Sequence, residues 1–268
     1  MPSLLIKAAK RIVKKALVMT EVAMHKAFGN LRCPVCGSKI VRYSRFPRWY
    51  LDMYSKHRFI HPLFAYETFN AVDFMCPICH ASDSARLYAL YLEKRLPEFG
   101  DKIRLLDVAP SAPLARLIKK HANVDYRSVD LIRTDVDDQA DLTAMPIYGN
   151  GSFDLIICTH VLEHIQDDRA AMRELYRILK PGGEAILQVP ILPILDRDYE
   201  NPSVKTLEDH WQHYGEADHV RVYSKNGYLE KLRSAGFVVR QLGADFFGQK
   251  TFENNRITQS SVLYVATK

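Results

Sequence analysis

From residue 103 onward, short apolar runs alternate with amphipathic stretches. "KIRLLDV", "NVDYRSVD", "FDLIICT" and "EAILQVP" are rich in Val, Ile and Leu. Runs this short, apolar on both faces, predict strands buried on both sides. Leu114 to Lys120 and Arg169 to Leu179 read as helices. Met172, Leu175 and Leu179 share one face, and the second helix stops at "KPGG", as proline and glycines dictate. After Pro190 come a polar excursion, a helix over Ser224 to Ala235, and the strands "FVVRQL" and "SVLYVAT". The alternation predicts an α/β fold, a doubly wound, mostly parallel, Rossmann-like sheet with helices on both faces.

The first hundred residues follow another pattern. Over residues 3–28, Leu5, Ile12, Ala16, Met19 and Ala23 fall at helical spacing, with Lys7, Lys10, Arg11 and Lys14 leaning the other way. A basic amphipathic helix is expected there, packed on its own domain, lying on an anionic membrane or lying against nucleic acid. It holds most of the net charge: residues 1–28 sum to +5 of the chain's +6. The remaining body is nearly neutral, which weighs against a broadly nucleic-acid-binding surface.

"CPVCG" (Cys33 to Gly37) and "CPICH" (Cys76 to His80) each offer two thiolates on a tight turn. Cys33, Cys36, Cys76 and Cys79 together supply the four soft ligands of a tetrahedral structural Zn2+ site. Paired Cys-x-x-Cys motifs argue for a metal in a reducing compartment over a disulfide framework. His80 reads as a bystander, and Cys158 as a buried small hydrophobe. The 39 residues between the pairs exceed the usual ribbon spacing and must loop out of the metal module. Within them, Arg42 to Met75 holds ten aromatic residues, among them Trp49, Tyr50, Tyr54 and Phe64, interleaved with Arg42, Arg45, Arg48, Lys56 and Arg58. Such residues stack on bases, serve sugars or lipid headgroups, or form the small core of a metal-stapled module.

Three segments follow: a basic helix over 1–30, a zinc-ribbon-like module over 31–98 and the α/β domain over 99–268. No apolar run approaches a membrane span, and the first residues lack the core of a secretory signal. A cytoplasmic protein is expected, peripheral at most to the inner face of the membrane.

In a doubly wound sheet the ligand lies at the carboxyl ends of the strands, where strand order reverses. The first strand ends near Asp107 and the second at Asp130, the distance at which a carboxylate grips a ribose diol. The intervening turn, "LLDVAPSAPLARL", contains no glycine. That weighs against a dinucleotide, whose pyrophosphate needs close backbone approach, and leaves a phosphate-free nucleoside open.

"SFDLIICTHVLEHIQDDRAAMRELYRILKPGGEAILQVP" (Ser152 to Pro190) resembles the core of class I S-adenosylmethionine-dependent methyltransferases of the ubiquinone-biosynthesis-like, type 11 group. With the glycine-poor turn and "YGEADHVRVYS" (Tyr214 to Ser224), the chain resembles a narrower bacterial set carrying an N-terminal zinc-ribbon-like module. The resemblance implies a seven-stranded sheet with its last strand antiparallel, and S-adenosyl-L-methionine as methyl donor. It places Asp107, Ala109 and Pro110 on the methionine side, Asp130 on the ribose, Asp141 and Leu142 on the adenine, and Thr159 and His160 facing the methyl group. His219 and Arg221 would face the acceptor, with His160 and His219 as candidate bases and Arg221 suited either to an anionic group or to a structural salt bridge. His164 is as well explained by bracing the following helix. The acceptor would be a small molecule, a glycan or a lipid-linked saccharide methylated on O or N. The alternatives are an RNA acceptor recognised through the metal module, and a non-catalytic adenosylmethionine-binding module.

Overall fold

The computed structural model describes residue 11 and residues 19–100 and 102–268. Of the helix expected over 3–28, residues 19–28 (α1) are helical, while 1–10 and 12–18 lie outside the described residues. A hairpin of β1 (Leu31–Arg32) and β2 (Lys39–Ile40) carries the first cysteine pair. The 39-residue excursion contains α2 (Arg48–His57), and the second cysteine pair leads into α3 (Asp83–Glu98). The hydroxyl of Ser82 caps α3 by accepting from the Ala85 amide.

Seven strands form the central sheet: β3 (Ile103–Val108), β4 (Val124–Asp130), β5 (Asp138–Gln139), β6 (Phe153–Thr159), β7 (Leu179–Gln188), β8 (Val238–Leu242) and β9 (Leu263–Thr267). Their order is β5-β4-β3-β6-β7-β9-β8. All neighbouring pairs are parallel except those of β9, which runs antiparallel to β7 and β8. The expected seven-stranded sheet with an antiparallel last strand is what the chain forms. Only β5 went unread in the sequence.

Strand alternation divides the core. Leu105, Ile157 and Ile186 point to one face, toward α3, α4 (Ala112–Ile118) and the cysteine module. Leu106, Ile156 and Leu187 point to the other, toward α5 (Asp168–Ile178) and α7 (Lys225–Ser234). α5 buries Ala171, Met172, Leu175 and Ile178, the face legible in its spacing. Cys158 is fully buried in β6 among these apolar side chains. Between β7 and α7 the polar excursion holds α6 (Leu207–Tyr214). A Thr206/Asp209 capping box opens this helix, and Gly215, in the left-handed region at φ 79°, closes it. Two short helices, α8 (Ala244–Phe247) and α9 (Gln249–Asn254), precede β9. Among the described residues no helix is long and apolar enough to cross a membrane.

The excursion between the cysteine pairs does loop out, and it docks on the sheet domain. Glu67, buried, accepts from the Tyr264 hydroxyl at 2.6 Å and pairs with Lys225 at 2.8 Å. Arg86 of α3, fully buried, donates to the carbonyls of Asp73, Phe74, Asn255 and Arg256 and lies 4.0 Å from the centre of the Tyr43 ring. A guanidinium spent on four carbonyls is a rigid clamp between distant segments.

Candidate active site and metal centre

The two cysteine turns are built alike. Gly37 donates to the Cys33 carbonyl at 2.9 Å, and His80 donates to the Cys76 carbonyl at 2.9 Å. Each turn ends in the left-handed region, at Gly37 (φ 71°) and His80 (φ 63°). His80 therefore takes the place of a turn glycine and is absent from the ligand group. The four sulfurs lie within 4.8 Å of one another, with Cys33 and Cys79 Sγ 3.9 Å apart, and none is in a disulfide. Contacts with the neighbouring sulfurs, Cys33 foremost, push the Cys79 thiol well up and the Cys36 thiol well down. This is the donor set of a soft, tetrahedrally bound cation.

Strand order reverses between β3 and β6, so a ligand shelf belongs at their carboxyl ends. Asp107, next to last in β3, is buried at 2% exposure and accepts the Tyr126 hydroxyl at 2.8 Å. Burial pushes its carboxyl up to about 7. The glycine-free turn nevertheless contains a left-handed residue: Ala109 sits at φ 50°. An L-residue there costs about 1–2 kcal/mol, so the geometry glycine usually supplies is retained without glycine. Asp130 is half-buried at the end of β4. One of its oxygens accepts from the Ile132 and Arg133 amides at 2.8 and 3.0 Å. Arg133 reaches across to donate to the Pro110 carbonyl at 2.6 Å, tying the two turns together. Asp141 is exposed, with one oxygen held by the Thr143 amide and hydroxyl, while Leu142 is buried. Thr159 and His160 close β6, His160 also in the left-handed region at φ 56°.

A cavity of about 490 Å3 adjoins this shelf beside His160 and takes in Glu163, His164, His219 and Arg221. Asp107, Asp130, Asp141, Leu142 and Thr159 do not line it. Its opposite wall comes from the excursion: seven of the ten aromatics of residues 42–75 face it, Phe46, Tyr50 and Tyr54 among them. A second hollow, between α1 and the excursion, is lined by no residue of the sheet.

Glu163, which the sequence reading did not single out, lies beside His160 at the cavity wall. It is 1% exposed, and neither of its oxygens accepts a hydrogen bond. His160 Nδ1 lies 3.4 Å from its Oε1, and His160 Nε2 is 3.3 Å from the Tyr88 hydroxyl. Partial desolvation would lower His160, whose side chain is 46% exposed, but contact with Glu163 outweighs it and raises the imidazole above its ordinary value. Burial likewise favours a protonated Glu163, and His160 reverses that to pull the carboxyl down. His219 packs edge-on against His164, ring centres 4.5 Å apart, and burial pushes it down to about 4. His164 Nδ1 stands 3.2 Å from Asp218.

Arg221 lines the cavity with four of its five N–H donors already committed. It is 2% exposed, pairs with Glu200 at 2.8 Å and donates to the carbonyls of Leu162, Ile165 and Gln166. Of the two roles open to Arg221, the structure shows the structural salt bridge, with the guanidinium also held by the backbone before α5.

Residues 80–242, more than half of the chain, match the model of a family described as a methyltransferase domain. A ubiquinone biosynthesis O-methyltransferase of Xanthomonas oryzae pv. oryzae is 34% identical over 99 residues, 36% of this chain and 37% of that protein. The uncharacterized protein YafE of Escherichia coli is 31% identical over 144 residues, 53% of this chain and 58% of that protein. The chain thus spans under two-thirds of the length of these relatives. A SAM dependent methyltransferase from Archaeoglobus fulgidus superimposes with a TM-score of 0.43 at 16% identity, over 68% of this chain and 93% of that one. The match of the family model over residues 80–242 makes this chain a member of the methyltransferase-domain family.

Proposed function

We propose that the protein moves a methyl group from S-adenosylmethionine to an oxygen or nitrogen of an acceptor held in the cavity beside His160. The carrying observation is the adjacency of the strand ends to a cavity. Ala109, Asp130 and Thr159 stand at the ends of neighbouring parallel strands, and His160, next after Thr159, lines a half-open cavity with Glu163. Family membership supports the donor. The shelf fits it: Ala109, Ser111 and Ala112 are small and exposed, and Asp130 keeps one carboxylate oxygen outside its own turn. On this reading Asp130 holds the ribose, Asp107, Ala109 and Pro110 the methionine end, and Asp141 and Leu142 the adenine. When bound, the donor supplies an electrophilic methyl with its own leaving group. The chain's residues align the partners and exclude water.

His160 is the proposed base. Its Nε2 faces the long Tyr88 contact, which an acceptor O–H or N–H displaces, while Glu163 holds Nδ1 and steadies the positive charge the ring gains. Low basicity makes His219 a weaker candidate, suited to positioning. Seven aromatic walls and the absence of an uncommitted cation at Arg221 support an uncharged or apolar small molecule, glycan or lipid-borne acceptor. A structural zinc ion on Cys33, Cys36, Cys76 and Cys79 fits the four-sulfur cluster and a reducing cytoplasm. On this reading the segments are 1–30, 31–98 and 99–268, with α3 of the second sharing one core with β3 of the third.

Calorimetry with S-adenosylhomocysteine tests this. The native chain binds, and Asp130→Ala loses at least about 2 kcal/mol, the scale of a lost charge-assisted hydrogen bond. Equal affinity in both proteins overturns the ribose assignment, and no binding to the native chain overturns the methyltransferase reading.

A further inference from the structure

Helix α2 is rich in large apolar residues, Trp49, Tyr50, Leu51, Met53 and Tyr54, and buries none of them. Its inner face is set by ring contacts: Tyr50, Tyr54 and His57 lie 6.1 to 6.2 Å from Trp211 of α6. The opposite face, at helical spacing, presents Arg48, Trp49, Asp52, Ser55 and Lys56, all exposed. Trp49 is 54% exposed; Leu51, Ile60 and Phe64 add 41%, 48% and 77% within sixteen residues. Large apolar groups left exposed this close together in the chain point to an interaction site.

The patch is joined to the cavity by a chain of rings. Trp49 stacks on Tyr50 at 3.7 Å, Tyr50 meets Phe46 at 5.1 Å, Phe46 meets Phe69 at 5.0 Å, and Phe69 meets Phe64 at 6.5 Å. Tyr50, Phe46 and Phe69 line the cavity, so the exposed Trp49 and Phe64 stand on its rim. The same segment exposes Arg42, Arg45, Arg48, Lys56 and Arg58 against the single acid Asp52. Apolar side chains interleaved with cations match a surface that is anionic above and apolar below, which is an anionic bilayer. A second copy of the chain would set like charge against like across a two-fold contact. Leu51 and Ile60 have no flat face to offer a base.

We propose that this face docks on anionic lipid bilayers, with Trp49 and Phe64 at headgroup depth and the arginines on lipid phosphates, so that the cavity mouth meets the lipid–water interface. Docking is a property of the surface alone; its use, admitting a lipid-borne acceptor to His160, rests on the methyltransferase reading.

The test uses the full chain with phosphatidylcholine vesicles, with and without phosphatidylglycerol. The chain has two tryptophans, and Trp211 is buried. Anionic vesicles shift the Trp49 emission to the blue and bring it within reach of quenching by brominated acyl chains. The signal persists in Trp211→Phe, vanishes in Trp49→Phe with native packing otherwise kept, and weakens with salt. Paired Trp49→Ser/Phe64→Ser and Arg45→Glu/Arg48→Glu variants each lower partitioning by about tenfold. Three results overturn the proposal: no vesicle binding, binding without quenching of Trp49, or a blue shift that follows protein concentration without lipid. S-adenosylhomocysteine binding measured in parallel separates this failure from failure of the methyltransferase reading.

Discussion

Glu163 stands 3.4 Å from His160, its Oε1 facing Nδ1, on a buried turn where neither carboxylate oxygen has any hydrogen bond. Such a carboxylate is stable because the imidazole beside it takes charge, and the imidazole is raised for the same reason. A base must be neutral to act, so turnover should rise with pH through the elevated His160 value. Glu163→Gln removes the carboxylate charge. The rising limb then moves toward acid while the plateau falls by about ten- to a hundredfold. A pH–rate profile with the limb unmoved would assign Glu163 to structure alone, and a melting curve checks that the variant folds.

A carboxyl at the end of β3 gives a second, oppositely directed pH dependence. Asp107 is held at about 7 by burial, far above its value in an unfolded chain. The folded protein therefore binds a proton that the unfolded chain has already released. Stability is fullest below about pH 4 for this group and is lost as pH rises through 7. Three pKa units correspond to at most about 4 kcal/mol. Asp107→Asn, which can still accept from Tyr126, should melt higher than the native protein at mildly alkaline pH and lose that advantage in acid. The same variant should bind S-adenosylhomocysteine less well. Parallel melting curves across pH would expose an error in sign.

How much of this was legible beforehand varies with the reach of the interactions. β3, β4, β6 and β7 are apolar runs, and their own residues fix them. β5 is Asp138–Gln139, with no apolar signal; it is a strand only because Val129 and Asp130 offer it backbone partners. The turn after β3 offers no glycine to favour the left-handed region, yet Ala109 adopts it. Composition does not show strain that a surrounding fold can impose. Glu163 was findable, since His-x-x-Glu puts both residues on one turn. Whether Phe46, Tyr50 and Tyr54 face a cavity or solvent depends on α6, over a hundred residues away, and no local pattern encodes that.

The four cysteines share one apolar core with α3 and the β3 side of the sheet. Loss of the bound ion should therefore be felt beyond the metal module. One zinc per chain is expected by native mass spectrometry. Removing it with a chelator should lower the Tm by roughly 10 °C, the equivalent of about 3 kcal/mol or more in a chain this size. Because α3 carries Tyr88 and Arg86, the cavity wall should loosen too, seen as faster hydrogen exchange over residues 42–75. An unchanged Tm after complete metal removal would show that the sulfurs pack as ordinary thiols.

Arg221 carries the sharpest contrast between a binding role and an anchoring one. Its guanidinium serves Glu200, three carbonyls and, at 3.6 Å, Asp168, while Lys231 reaches Asp168 and Asp198 at 2.7 and 2.9 Å. Truncating one member of so buried a network leaves carboxylates and carbonyls without donors. Arg221→Met should cost about 3–5 kcal/mol in a urea titration. Arg221→Lys should recover little, since one ammonium cannot reach both sides of the fork. The damage should be confined to α5 and the segment from Pro190 to Val222, leaving S-adenosylhomocysteine affinity near native. An arginine reserved for an anionic acceptor would behave in the opposite way, with unchanged stability and a raised KM.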